Sequence, residues 1–102
     1  MAQLTVIAAT TSAVTTKAII DLSAYESGVI LASALATTEE VDIWVDASGT
    51  WVLLNDADGN TIALTASKRA LNVQGGVTYA VAKDATAGAC AVLVNLGPPI
   101  NT

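Results

Sequence analysis

The chain is predicted to be all-β, an antiparallel β-sandwich or jelly-roll-like barrel of about eight short strands. Three observations carry this. Aliphatic residues recur at every second position in short runs, the period of a half-buried strand. Gly, Asp, Asn and Ser interrupt those runs about every 8–12 residues, the spacing of a sandwich or barrel. Val, Ile, Leu and Ala dominate an apolar content of 53%, which supplies a core for one domain without disulfide or metal support.

Residues 3–9 and 14–22 are the first two runs. For residues 28–36, Gly28-Val29-Ile30-Leu31-Ala32-Ser33-Ala34-Leu35-Ala36, helix competes, because Ala and Leu favour it. The β-branched start and the strand neighbours favour a central strand that is apolar on both faces. Residues 40–47, 51–56 and 60–66 follow, joined by Ala47-Ser48-Gly49-Thr50 and Asp56-Ala57-Asp58-Gly59. Asp at the first turn position and Gly at the fourth is type I chemistry. Residues 70–74 and 77–83 flank Gly75-Gly76, a two-residue hairpin signal. Asp84-Ala85-Thr86-Ala87-Gly88 turns the chain into the last run, 89–96. The domain is expected to span 1–96. The tail 97–102 carries Pro98 and Pro99, which cannot donate ladder bonds, so it is expected to leave the sheet and run extended.

The middle strands can be registered by consistency. Val41, Ile43 and Val45 share one face, and Asp42, Trp44 and Asp46 share the other. Burying two unpartnered carboxylates is costly, so Trp44 is expected to point away from the core. A three-residue loop at 47–49 would put Trp51 and Leu53 beside Ile43 and Val45. A two- or four-residue loop aligns Val45 with Val52 and Ile43 with Leu54. The next hairpin, closed by Asp56 and Asn60, sets Leu54 across from Ile62 and Val52 across from Leu64. Only the second choice puts Val41, Ile43, Val45, Val52, Leu54, Ile62 and Leu64 on one face. The outer face then carries Asp42, Trp44, Asp46, Trp51 and Leu53, with Trp44 opposite Leu53. Two Trp and a Leu on a polar face are the candidate partner surface. The competing reading is that another segment of the domain covers them.

Several functions are disfavoured by composition. There is no His, the usual general base, so no conventional catalytic triad can be assembled. No enzymatic activity, catalytic residue, cofactor or metal is expected. The net charge is −5, and only Lys68 and Arg69 are adjacent basic residues, so neither nucleic acid nor an anionic membrane is an expected partner. Cys90 is alone in an apolar run and reads as a buried small hydrophobe. Asn55-Asp56-Ala57-Asp58-Gly59-Asn60-Thr61 offers alternating oxygens, but its glycine and its twelfth position, Ser67, do not fit a calcium loop. Glu39, Glu40 and Asp42 cluster as a glycosidase pair would, yet two Tyr and no Phe furnish little of a sugar cleft. The N-terminus has no basic residue before Lys17, so no signal peptide is expected, and no run reaches the roughly 20 apolar residues of a membrane span.

Three pieces together resemble a known family: Tyr25 before an apolar strand; Val41-Asp42-Ile43-Trp44-Val45-Asp46-Ala47-Ser48-Gly49-Thr50-Trp51-Val52; and Val77-Thr78-Tyr79-Ala80-Val81-Ala82-Lys83-Asp84-Ala85-Thr86-Ala87-Gly88-Ala89. They look like the small β-sandwich virion proteins of tailed phages, some of which are head decoration, or cement, proteins. The resemblance covers about residues 20–95 and rests on hairpin chemistry. It implies a structural protein on the capsid exterior, made in the host cytoplasm and bound to the major capsid protein as a homo-oligomer, a trimer being expected. A carbohydrate- or receptor-binding module of a phage tail or cell surface is the alternative, with Trp44 and Trp51 as stacking platforms.

Overall fold

Alternating residues become strands wherever one face can be buried, and the computed structural model of residues 2–100 contains nine of them. They are β1 (Gln3–Thr10), β2 (Val14–Asp21), β3 (Ser27–Ala32), β4 (Glu40–Ala47), β5 (Thr50–Leu53), β6 (Ala63–Thr65), β7 (Ala70–Gln74), β8 (Thr78–Lys83) and β9 (Cys90–Leu96). No described residue is helical. Met1, Asn101 and Thr102, the outer ends of the expected domain and tail, lie outside the described residues.

The strands form two antiparallel sheets. One has the order β1-β9-β3-β7. The other has the order β2-β8-β4-β5, with β6 also paired to β4. The pairs Gln3–Asn95, Ala18–Val81, Ser27–Gln74 and Val45–Val52 all have their midpoint close to Ser48-Gly49. The chain is thus one long double ribbon doubled back at that turn. Rolling the ribbon up adds the contacts β3·β9 and β4·β8 and closes a jelly-roll sandwich. Leu22, Ile30, Val41, Ile43, Leu64, Val81, Val92 and Val94 fill the space between the sheets, together with the free thiol of Cys90.

The β4–β5 register is the expected one. Val45 pairs with Val52 and Trp44 with Leu53, and the Leu54 N–H donates to the Ile43 carbonyl at 2.9 Å. The loop has two residues, Ser48 at φ 56° and Gly49 at φ 91°, the paired left-handed conformation of a type I′ turn. Asp56 to Gly59 is the expected type I turn, closed by Gly59 N–H to the Asp56 carbonyl at 3.1 Å. Asp56 Oδ1 accepts the N–H groups of Asp58 and Asn60, so this carboxylate holds the turn.

Four expectations need correction. Residues 70–74 and 77–83 are not a hairpin: β7 pairs with β3 and β8 with β2 and β4, so Gly75-Gly76 crosses between sheets. A Gly-Gly pair permits that crossing as readily as a hairpin: Gly75 leaves no side chain where the Tyr25 and Glu26 backbone passes, and Gly76 takes a φ of 80°. Their N–H groups donate to Glu26, Leu22 and Tyr25 carbonyls. Second, Leu64 lies across from Val41 rather than Val52. β4 is twice as long as β5, and β6 pairs with the half that β5 leaves uncovered. Leu64 is fully buried, but Val52 is 44% exposed, because both faces of the hairpin tip are open. Third, β3 ends at Ala32, and residues 33–39 form a loop. Fourth, the tail does not leave the sandwich at Gly97. The Pro98 carbonyl accepts the Glu26 N–H at 2.8 Å and Ile100 N–H donates to Ala24. Prolines cannot donate, but their carbonyls accept, and that suffices for edge pairing.

Candidate functional site

The outer face of the five-stranded sheet is built by alternation. Even positions of β4 point outward, and the type I′ turn carries that parity into β5. Asp42, Trp44 and Asp46 therefore share a face with Trp51 and Leu53, as the sequence predicts. Trp44 stands opposite Leu53, and Asp46 opposite Trp51. Both Trp are partly buried, and Leu53 is 38% exposed.

Long-range pairing adds residues that the local pattern could not. Trp44 is also in register with Ala80 of β8, and Ala80 with Ile19 of β2. Ala80 has no exposed surface, whereas Ile19 is 55% exposed. Ile19, Ala80, Trp44 and Leu53 thus form an apolar row across four strands. Lys17 lies two positions before Ile19 on the same face. Its ammonium sits 4.7 Å from the Trp44 ring centroid, a cation–π distance that covers part of the indole. The Lys17 side chain of the same domain thus reaches over Trp44.

The two acids of the candidate set differ. Asp46 is exposed, and its Oδ1 accepts the Gly49 N–H at 2.8 Å, pinning the turn. Asp42 is partly buried, and its pKa is raised by desolvation first and then by Glu40 and Asp84. It sits where the sheet face runs into an acidic cleft of about 350 Å³ lined by Thr38, Glu39, Glu40, Asp84, Ala85 and Thr86. Glu39 accepts the Ala36 N–H at 2.8 Å and the Ala87 N–H at 2.7 Å. These bonds lower its pKa, the opposite of what a general acid needs. Glu39 is a clamp between two loops. Among the described residues, no three His, Cys, Asp or Glu side chains are placed to hold a metal ion.

Lys83 is a further residue the sequence reading passed over. It is 3% exposed, and its Nζ donates to the Thr10 and Ser12 carbonyls and to Thr86 Oγ1. Parity with Tyr79 and Val81 was the available signal for its inward side chain. It ties the β1–β2 turn to the β8–β9 loop.

The site is therefore an outward apolar row with two Trp on a sheet whose inner face is the core. Compared with family models, with curated proteins and with solved structures, the chain matches none.

Proposed function

We propose that this chain is a non-enzymatic structural protein of a tailed-phage particle that binds the outer surface of the capsid shell and stabilises it. The observation that carries the reading is the Trp44–Leu53–Trp51 cluster on the solvent side of the sheet. An apolar cluster on the outward face of a sheet suits attachment to another protein surface. The resemblance of residues 41–52 and 77–89, with Tyr25, supplies the partner, the major capsid protein, and the location, the capsid exterior after synthesis in the host cytoplasm. Binding across shell-subunit joints buries interface that must be broken together, which resists outward pressure. Copies act as a homo-oligomer, three by the resemblance.

The second reading, a carbohydrate- or receptor-binding module, is favoured by two Trp on one face. Lys17 over the Trp44 ring weighs against sugar stacking there. Counting copies in purified particles separates the two. Numbers comparable to the shell protein, with no Trp fluorescence change on adding glycans, support the capsid reading. A few copies per particle with a saturable glycan response would replace it with the second.

A further inference from the structure

The two sheets differ in charge. β2 and β4 carry Lys17, Asp21, Glu40, Asp42 and Asp46. No residue of β1, β3, β7 or β9 is Asp, Glu, Lys or Arg. On the inner face that is ordinary, because a core excludes charge. On the outer face it is not, since water-facing positions are where charged residues collect. The registers define that outer face. Leu31 pairs with Leu93, and Val29 with Asn95, across the two central strands β3 and β9. Leu93 and Asn95 continue to Thr5 and Gln3 of β1, and Val29 continues to Asn72 of β7. The centre is therefore apolar, with Val29, Leu31 and Leu93 only partly buried. Gln3, Thr5 and Asn72 on the two outer strands are exposed. An apolar centre without charge inside a polar rim is the anatomy of a protein interface.

We propose that this face packs on the same face of a second copy, about a two-fold axis near the Leu31–Leu93 pair. Two properties select a copy as the occupant. A two-fold sets a patch against itself, so a charge on it would meet its own sign. In a chain of net charge −5, this is the sheet on which no such meeting occurs. The polar side chains of the face are amides and hydroxyls, which donate and accept alike and can therefore bond to their own kind. Gln3 Nε2 already donates to Asn95 Oδ1 at 2.8 Å within one copy. A partner of opposite charge finds its match on the other sheet. Four strands about 4.8 Å apart, six residues of about 3.3 Å long, make a face of roughly 20 by 20 Å. Two such faces bury on the order of 1,000 Å², the low end of specific interfaces, so the pair is expected to dissociate in the micromolar range. The inference does not rest on the phage reading, and a two-fold pair differs from the three copies that the resemblance implies.

The test is the mass of the full chain by sedimentation equilibrium, loaded from about 10 μM to about 1 mM to bracket that range. The wild type is expected to approach twice 10.3 kDa at the upper end. Leu93→Lys and Leu93→Glu each set like charges together near the axis and are expected to raise the dissociation constant about a hundredfold or more. Mixed in equal amounts, the two variants are expected to form the pair that neither forms alone. Val52→Lys, at an exposed position on the hairpin tip of the other sheet, is expected to pair like the wild type. Circular dichroism checks that each variant folds. Should a charge at Leu93 prevent folding, Asn95→Lys replaces a residue that is already polar and is expected to weaken the pair in the same way. A wild type that stays monomeric at the highest loading, or forms a trimer, would overturn the proposal. So would a folded Leu93→Lys or Asn95→Lys chain that pairs as tightly as the wild type, a folded mixture that remains monomeric, or a folded Val52→Lys chain that loses the pair. None of these outcomes alters the count of copies on particles, which tests the capsid reading separately.

Discussion

Lys17 and Trp44 lie on strands that are not neighbours, yet the Lys17 ammonium is held 4.7 Å from the Trp44 ring centroid. Between them runs β8, whose outward residues Ala80 and Ala82 are too small to intervene. The lysine stem can therefore lie along the sheet while its charge remains at the surface.

Replacing Trp44 by Ala is expected to weaken particle attachment more than folding. A desolvated interface Trp contributes about 2 kcal/mol or more on truncation, roughly thirtyfold in affinity. A core aromatic would instead cost about 3–5 kcal/mol of stability, and Trp44 is only partly buried on the outward face. Thermal midpoint and capsid binding should be measured on the same preparation. A collapsed midpoint with normal binding by the remaining folded fraction would make Trp44 a folding residue.

The outer face was legible in the sequence because it depends on local quantities. The alternation in residues 40–47 and the two-residue loop at Ser48-Gly49 determine which residues accompany Trp44. Ile19 and Lys17 were not legible, because their place beside Trp44 depends on β8 lying between β2 and β4. Those pairings close over about 60 residues of chain, and no local signal encodes them. The Gly75-Gly76 misreading has the same origin: the dipeptide specifies backbone freedom, and the sheet on which the next strand lands decides whether it makes a hairpin.

Gly75 and Gly49 should respond very differently to alanine. A Cβ on Gly75 would collide with the Tyr25 carbonyl oxygen and stand 2.6 Å from the Glu26 carbonyl carbon, both backbone atoms. Backbone yields poorly, so Gly75→Ala is expected to cost about 2–4 kcal/mol. A Cβ on Gly49 meets nothing within 4 Å, and only its φ of 91° is strained. There the cost is about 1–2 kcal/mol. Urea unfolding midpoints at constant m-value report the difference, and equal losses would refute the close packing of the crossing.

Lys83→Met keeps most of the side-chain volume and removes the donor to Thr10, Ser12 and Thr86. Its loss is expected to cost about 1–3 kcal/mol, the range for leaving such acceptors unpaired. Hydrogen exchange should show the loss concentrated at the β1–β2 turn and the 84–88 loop, with β4 amides still slow. Uniform loss across the sandwich would mean that Lys83 acts through the core instead.

The two Glu39 hydrogen bonds have a signature in pH. The Ala36 N–H, then the Ala87 N–H, hold its carboxyl below its ordinary value of 4.5. A depressed folded pKa means that the unfolded chain takes up the proton first. The stabilisation is therefore fully present above the unfolded value, near 4.5, and is lost as pH falls through the folded one. Asp42, raised by burial, works in the opposite direction: the penalty for its charge is relieved on acidification. Glu39→Gln keeps one acceptor oxygen and loses the charge, so it is expected to melt below the wild type at neutral pH. Because the variant cannot titrate there, the gap between the two melting curves should narrow as pH drops below 4.5, while Asp42 affects both alike. Melting temperatures taken across that range for the two proteins decide it, and a gap independent of pH would show that Glu39 does not act through its charge.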